Sequence, residues 1–295
     1  MKNICFYFEI HQPLRLKRYR FFEIGQDHYY FDDFQTEDRI RGMVEQAYLP
    51  ATRTITEMIR SSNGKFKCTF SISGVALEQL EQYAPEVIDG FRELAKTGSV
   101  EFLAEPYAHS LASVYNRSEF EQQVKLHSRK IEALFGKKPT TFRNSELIYS
   151  DEIGEIVSGL GYKTMLMEEV KFVMGWKSPN NVYNHSYIPK LKLLVRNNKL
   201  SDDIAFRFSD RTWSDFPLSA EKFIHGISAI PDKEPVINLW MGYEAFGFYQ
   251  RAESGIFEFL KALPYHAMEQ GHSFALPSEI TKKFESVDSL IVPYP

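Results

Sequence analysis

The sequence predicts an α/β fold in which parallel strands alternate with helices and close into a barrel. Short apolar runs bounded by turn residues recur along the chain, and segments with helical spacing of apolar residues separate them. This alternation requires parallel strands joined by right-handed crossovers. About seven or eight such strands favour a closed or nearly closed barrel over an open doubly wound sheet, and the chain of 295 residues is long enough for one large barrel.

The first predicted strand, residues 4–10, is an apolar run without turn residues, and it ends before Pro13, which lacks the N–H a strand would need. Further strands are predicted at 65–73, 100–104, 140–142, 164–167, 191–196, 204–208, 236–241 and 274–276. Helices are predicted at 37–60 with a break at Pro50, and at 77–83, 85–96, 117–135 with Ser118 as N-cap, 151–159, 221–230 and 255–270. Residues 15–34 and 171–187 are predicted loops, the first with some helix.

Composition excludes several classes of function. The net charge of −4 gives no reason to expect nucleic-acid binding. No glycine-rich phosphate loop follows a strand, so dinucleotides and nucleoside triphosphates are not expected as cofactors. No apolar run reaches the roughly 18 residues of a membrane helix, and the N-terminal run is too short for a signal peptide. Without these segments we expect a cytoplasmic protein without a membrane partner. Cys5 and Cys68 lie in apolar runs and are expected to be structural thiols.

Polar residues follow most of the predicted strands. In a parallel barrel the carboxyl ends of the strands meet at one face, where the chemistry of such folds lies. These residues are His11, Gln12, Glu105, His109, Arg143, Glu146, Glu168, Glu169, Asp210, Tyr243 and Glu244. Glu146 is the central candidate, because it follows Arg143 directly after a strand; the alternatives are that Glu146 opens the next helix and that Arg143 forms a structural salt bridge.

The possible metal ligands in this set are His11, His109 and the carboxylates. No HxxxH or HExxH spacing accompanies them, so no metal is predicted. His127 is expected on the surface of its helix, and no partner pattern accompanies the remaining histidines. No GxSxG elbow supplies a serine nucleophile.

Paired carboxylates without a cofactor motif suit glycoside hydrolysis, in which one carboxylate attacks the anomeric carbon and a second acid protonates the leaving oxygen. Glu146 is the candidate nucleophile, and we expect Arg143 to lower the pKa of Glu146. Aromatic residues make up 15% of the chain. Stacking on sugar faces would account for some of them, although most are expected in the core.

Six segments in order along the chain resemble glycoside hydrolase family 57, in particular its α-amylase-like branch. They are HQP at 11–13, FSISGVALEQL at 70–80, EFLAEPYAHSL at 101–111, FRNSELIY at 142–149, FSDRTWSDFPL at 208–218 and WMGYEAFGFYQ at 240–250. The resemblance implies an incomplete (β/α)7 barrel, retaining chemistry on α-glucans and no metal or other cofactor. It gives Glu146 the position of the nucleophile.

The sequence departs from this family at the general acid. The family's aspartate falls at the third position of the WMGYEAFG segment, which is Gly242 here. General acid catalysis typically contributes about 10²–10⁴-fold to the rate, so we expect weak or absent hydrolysis with retained binding of an α-glucan or maltooligosaccharide. The residues expected to bind the sugar are His11, Gln12, Glu105, His109, Arg143, Asp210, Trp213, Trp240 and Tyr243.

Two alternatives remain open. The chain could be an active hydrolase or transglycosylase whose acid is Glu244, which lies two residues after Gly242 and so on the same side of an extended strand, or another carboxylate such as Asp210 or Glu105. It could instead be a metal-dependent deacetylase-like barrel that uses the histidines and carboxylates. The resemblance also implies a helical region after the SLIVPYP segment; we expect a single barrel domain over residues 1–295 without that region, and the sequence does not predict an oligomeric state.

Overall fold

The computed structural model describes residues 1–26 and 28–295, and the strands within them follow the predicted order. The strands are β1 (Asn3–Ile10), β2 (Cys68–Ile72), β3 (Val100–Phe102), β4 (Thr141–Arg143), β5 (Thr164–Met167), β6 (Val182–His185), β7 (Lys192–Val195), β8 (Val236–Gly242), β9 (Phe246–Gly247), β10 (Gln250–Arg251), β11 (Ser273–Phe274) and β12 (Asp288–Leu290).

Helices connect these strands. They are α1 (Asp33–Met43), α2 (Leu49–Ser61), α3 (Gly74–Tyr83), α4 (Pro85–Lys96), α5 (Ala112–Tyr115), α6 (Arg117–Phe135), α7 (Asp151–Gly159), α8 (Lys171–Met174), α9 (Asn198–Ala205), α10 (Ala220–Ser228), α11 (Ile256–Glu269) and α12 (Pro277–Lys283). None of the helices in the described residues is long and apolar enough to cross a membrane.

Seven strands form the barrel, which confirms the predicted fold class. β1 pairs in parallel with both β2 and β8, and β2 pairs with β3. A parallel bridge between Ala104 and Phe142 leads on to β4, which is followed by β5 and β7. Between β7 and β8, Asn238 Nδ2 donates to the carbonyl of Val195 at 3.0 Å, and Asn197 N donates to the carbonyl of Asn238 at 2.9 Å. These side-chain and loop hydrogen bonds therefore connect β7 to β8 in place of regular strand pairing.

Aromatic side chains fill much of the core. The ring of Phe8 lies 5.4 Å from that of Phe70 and 5.3 Å from that of Tyr243, all measured between centroids. These rings are fully buried between the barrel and its helices. Much of the aromatic excess in the composition therefore lies in the core, as expected. Its burial stabilises the fold by about 25 cal/mol per Å² of apolar area.

Residues 204–208 do not form the predicted strand, and this prediction was wrong. Ile204 lies in α9, whose N-cap Asn197 accepts from Leu200 N at 2.9 Å. Leu200 and Ile204 lie four residues apart and both face the core, a helical spacing that a short apolar window hides. The predicted loop 171–187 likewise contains α8 and β6; β6 runs antiparallel to β7 outside the ring.

Two local predictions about helices were also wrong. Pro50 does not break its helix, because it lies in the first turn of α2, where its missing N–H costs little, and the π-helical turn Val44–Tyr48 precedes it. The N-cap of α6 is Asn116 and not Ser118, since Asn116 accepts from Glu119 N at 3.1 Å. An asparagine and a serine two residues apart are both good caps, and sequence alone does not separate them.

Gly247 is required by a close approach of two backbones. Its φ is +108°, and a Cβ there would lie 2.0 Å from the carbonyl oxygen of Gln46. We expect Gly247→Ala to lower the free energy of unfolding by more than about 3 kcal/mol, because it combines backbone strain with a clash against rigid main chain. Urea unfolding measures the loss.

Gly255→Ala is the matched control, because φ at Gly255 is +84° and a Cβ there meets nothing within 4 Å. Only conformational strain remains, with an expected loss of about 1 kcal/mol. Equal losses in the two variants would contradict the steric explanation.

Candidate active site

A pocket of about 480 Å³ opens at the carboxyl ends of the barrel strands. Carboxylates, cationic side chains and aromatic rings share its wall. The lining residues are Glu9, His11, His109, Arg143, Glu146, Leu147, Glu168, Arg196, Ala205, Phe206, Trp240, Met241, Gly242, Glu244, Ala245 and Tyr249. Phe206 and Tyr249 are largely exposed, so apolar ring faces are open to a ligand beside the carboxylates.

Arg143, the last residue of β4, holds the carboxylates of this wall in place. Its side chain is buried, and Nη2 donates to Glu9 Oε1 while Nη1 lies 3.5 Å from Glu105 Oε2. The guanidinium also stacks over Trp240, with Cζ 5.1 Å from the ring centroid. A single buried cation therefore binds two carboxylates, one on β1 and one in the segment after β3, and the salt-bridge alternative for Arg143 describes it well.

Glu105 lies beneath the pocket and does not line it. Ser71 donates a hydrogen bond to its carboxylate. Burial raises the pKa of Glu105, but Arg143 and His109 outweigh that effect and hold the pKa at about 2. Glu105 is therefore a fixed negative charge at neutral pH, which makes it a poor general acid. Because it is buried beneath the pocket wall, it does not reach a sugar in the pocket.

His127 is fully buried, so the expectation that it lies on the surface was wrong. Glu105 N donates to its Nδ1 at 3.2 Å, and its Nε2 donates to the carbonyl of Ile72 at 2.8 Å. These partners leave the ring neutral, and burial lowers its pKa. The helix α6 thus uses a histidine to fix the backbone after β3.

His109 connects Glu105 to Glu146. Its Nε2 lies 2.9 Å from Glu146 Oε1, and its Nδ1 lies 3.6 Å from Glu105 Oε1. Burial lowers the pKa of His109, but the two glutamates together outweigh it, so the pKa is raised. The His11 ring stacks on His109 with centroids 4.2 Å apart, and burial together with the charge on His109 lowers the pKa of His11 to about 4. Of the two rings, His109 is therefore the one whose surroundings favour the protonated form.

Glu146 does not open a helix, which removes that alternative. It lies in the short turn Ser145–Leu147 with φ +53°, and α7 begins only at Asp151 with Ser150 as its N-cap. The side chain is 72% exposed toward the pocket. The hydrogen bond from His109 is the largest cause of the lowered pKa of Glu146, and the charge of Arg143 contributes less. A strained backbone thus presents an ionised carboxylate to the pocket.

Gly242 ends β8 on the same wall. Its register partner in β1 is Glu9, and both residues line the pocket with Glu146. The backbone of Gly242 has an ordinary φ of −63°, and a Cβ there would lie 3.1 Å from Glu244 Oε2. The position therefore accepts a side chain if Glu244 moves slightly.

Glu9 is a functional candidate that the sequence analysis missed. Its Oε2 accepts from Trp240 Nε1 at 3.3 Å, and its side chain is 21% exposed. The signal was present in the sequence, because Glu9 is the one charged residue in the apolar run of residues 4–10. Arg196 was also missed; its Nε donates to the carbonyl of Trp240 at 3.0 Å, and its Nη1 lies 3.5 Å from Glu168, which follows the neighbouring strand β5.

Glu244 lines the pocket but is largely buried. Tyr48 and Gln12 both donate to its Oε1, the latter at 3.1 Å. Burial raises the pKa of Glu244, which favours the protonated form that a general acid needs. Gln12 itself does not line the pocket, and its side chain donates to Glu244 instead.

Besides Glu105 and Gln12, three more residues predicted to bind sugar do not line the pocket. Tyr243 is fully buried in the core with its hydroxyl 3.0 Å from Thr52 Oγ1, so its prediction as a pocket residue was wrong. The turn after β8 points this ring inward, which strand alternation alone does not reveal. Trp213 packs partly buried against the core, and Asp210 caps its own loop by accepting from Thr212 N at 2.8 Å. Neither lines the pocket.

Glu9, His109 and Glu146 could together reach a metal ion. One ligand atom from each lies within 4.8 Å of the other two. Arg143, however, donates to Glu9 and lies 3.2 Å from His109 Nδ1, so a divalent cation here would stand beside a fixed positive charge. The donor set therefore fits a metal poorly, and the prediction of a metal-free site stays a prediction.

Fold and site together define a parallel α/β barrel with a carboxylate-rich pocket at its strand ends. The sequence model of the protein family described as "Glycosyl hydrolase family 57" matches residues 5–293 of this chain. The chain belongs to this family, as the resemblance of its motifs predicted.

Relatives and solved structures agree with this membership. A protein of Methanocaldococcus jannaschii named "Putative alpha-amylase" is 38% identical over 293 residues, which cover 97% of this chain and 60% of that protein. The 4-alpha-glucanotransferase from Thermococcus litoralis superposes with a TM-score of 0.73 at 19% identity, over 99% of this chain and 42% of that one. The GH57-type branching enzyme from Pyrococcus horikoshii superposes with a TM-score of 0.76 at 12% identity, over 99% of this chain and 73% of that one. At these identities the two structures show the fold alone.

Arg143→Met tests the role of the buried guanidinium. The substitution keeps the apolar volume but leaves Glu9 and Glu105 without their cation, and loss of one partner of a buried ion pair costs about 3–5 kcal/mol. We expect a loss of this size in urea unfolding. Arg117→Met is the control, because Arg117 is exposed and its ion pair within the described residues is with Glu121 on its own helix; there we expect less than about 0.5 kcal/mol. A similar, small loss in both variants would mean that Arg143 does not hold the network together.

Proposed function

We propose that this chain binds an α-glucan in the pocket at its strand ends, and that Glu146 is the nucleophile of a retaining glycosidase site whose general-acid position is occupied by Gly242. Hydrolysis of natural glucans is then weak or absent, while binding is retained. The observation that carries the proposal is the placement of an exposed, ionised Glu146 and of Gly242 in the wall of one pocket.

The electrostatics of the pocket support a nucleophile at Glu146. An attacking carboxylate must be ionised and accessible, and Glu146 is both, because His109 donates to one of its oxygens while most of the side chain is exposed. The family and the name of the Methanocaldococcus jannaschii relative support an α-glucan as ligand. Phe206 and Tyr249 offer exposed ring faces on which sugars can stack.

The absence of a side chain at residue 242 supports weak hydrolysis. The alkoxide leaving group of a glucan is poor without a proton donor, and Glu105 cannot serve because its pKa is about 2. Glu244 remains the alternative acid of an active hydrolase or transglycosylase, since its pKa is raised. Its burial and its bonds to Tyr48 and Gln12 make it less accessible to a leaving oxygen than a side chain at residue 242 would be.

Gly242→Asp tests the proposal by restoring a carboxyl group. We expect turnover of maltooligosaccharides to rise by about 10²–10⁴-fold, because only the acid step is deficient. Turnover of an aryl α-glucoside with an acidic phenol should change far less, since that leaving group needs no proton. Release of reducing sugar and of the phenol measures the two reactions.

Gly242→Asn is the matched control, with the same size and no acid, and it should give no increase. No increase with Gly242→Asp in a folded variant would contradict the proposal. Efficient turnover of both substrates by the unmodified protein, abolished by Glu244→Gln, would favour Glu244 as the acid instead.

A further inference from the structure

Glu9 and Glu146 form a pair of carboxylates across the pocket. One carboxylate oxygen of each lies within 4.8 Å of the other, and both lie near His109, whose Nε2 is 2.9 Å from Glu146 and 3.7 Å from Glu9. In retaining glycosidases the two catalytic carboxyl groups stand about 5–5.5 Å apart, whereas inverting enzymes keep them about 6.5–9.5 Å apart. The nearer oxygens of Glu9 and Glu146 are thus closer together than the carboxyl groups of an inverting pair, which favours retaining chemistry.

The position of Glu9 in the sheet places it beside the missing acid. Glu9 and Gly242 are register partners on the adjacent strands β1 and β8, so side chains at the two positions project from the same face. Trp240, two residues before Gly242 on that face, donates to Glu9 Oε2. The carboxylate of Glu9 therefore enters the pocket next to the space above Gly242.

We propose that Glu9 is the general base of the second half-reaction at this site. This proposal rests on the proposed function, in which Glu146 is the nucleophile. In the first step a Glu146 oxygen attacks the anomeric carbon of an α-glucosyl donor, and the bond from that carbon to the leaving oxygen breaks, with its electron pair going to the leaving group. In the second step water attacks the same carbon, Glu9 takes the proton of that water, and the bond to Glu146 breaks with its electron pair returning to the glutamate. Glu9 then releases the proton to solvent.

The contacts of Glu9 suit the base and not the acid. Arg143 donates to Oε1 and Trp240 donates to Oε2, so both oxygens accept hydrogen bonds as a carboxylate does. A carboxylate can take a proton from water but has none to give to a leaving alkoxide. The structure thus accounts for a site that would process donors with acidic leaving groups and fail with glucans.

Glu9→Gln tests this inference with an aryl α-glucoside of an acidic phenol. We expect a burst of phenol equal to one per active site, because formation of the glycosyl-enzyme does not need the base, followed by steady-state turnover about 10²–10⁴-fold slower than in the unmodified protein. Azide needs no deprotonation to attack. It should restore steady-state turnover at least about tenfold and give the α-glucosyl azide, while it leaves the unmodified protein largely unchanged.

Glu105→Gln is the matched control, because Glu105 shares Arg143 and His109 with Glu9 but lies outside the pocket. Any loss in that variant should be insensitive to azide, and circular dichroism verifies folding of both variants. A folded Glu9→Gln protein with unchanged turnover, or with a loss that azide does not reverse, would overturn the role of Glu9 alone. No phenol release by the unmodified protein would refute Glu146 as the nucleophile, and the inference with it.

Discussion

The buried guanidinium of Arg143 is the interaction on which the site depends. It stands at the end of β4 and reaches Glu9 from β1, Glu105 from the segment after β3, and the ring of Trp240 from β8. Strands far apart in the chain are thereby held at one rim by a single cation. A buried ion pair contributes little net stability compared with apolar packing, so its retention here is better explained by the arrangement that it imposes on the pocket.

That arrangement lowers the pKa of two carboxyl groups and leaves a third with a raised pKa. Glu105 is ionised because Arg143 and His109 outweigh its burial, Glu146 is ionised because His109 donates to it, and Glu244 has a raised pKa because burial dominates. His11 has a pKa of about 4 and stays neutral at neutral pH, whereas the pKa of His109 is raised by its two glutamates. The pocket wall therefore presents an ionised Glu146, while Glu244, whose pKa is raised, lines the pocket with a largely buried side chain.

Sequence reasoning recovers the barrel because alternation of strand and helix leaves few topologies open, and it predicts the position of Glu146 in the pocket wall because polar residues after strands converge on one face. Sequence reasoning fails where the direction of a side chain decides whether it lies in the core or at the surface. Tyr243 follows the same strand as Gly242 but turns into the core, and His127 turns inward from a helix that looks polar. Ile204 was assigned to a strand because a five-residue window does not distinguish the two periodicities. Glu9 was missed because a lone carboxylate inside an apolar strand has no visible partner until the strands are placed side by side.

The central claim is that Glu146 attacks the anomeric carbon in a pocket without an acid at residue 242. Mass spectrometry after incubation with a fluorinated α-glucosyl fluoride tests it directly, since the fluorine on the sugar slows the second step and fluoride leaves without a proton. We predict a gain of one glycosyl mass per chain, located by peptide mapping on Glu146 and absent in Glu146→Gln. A label on another residue, or turnover of the reagent with no adduct in either protein, would contradict the account.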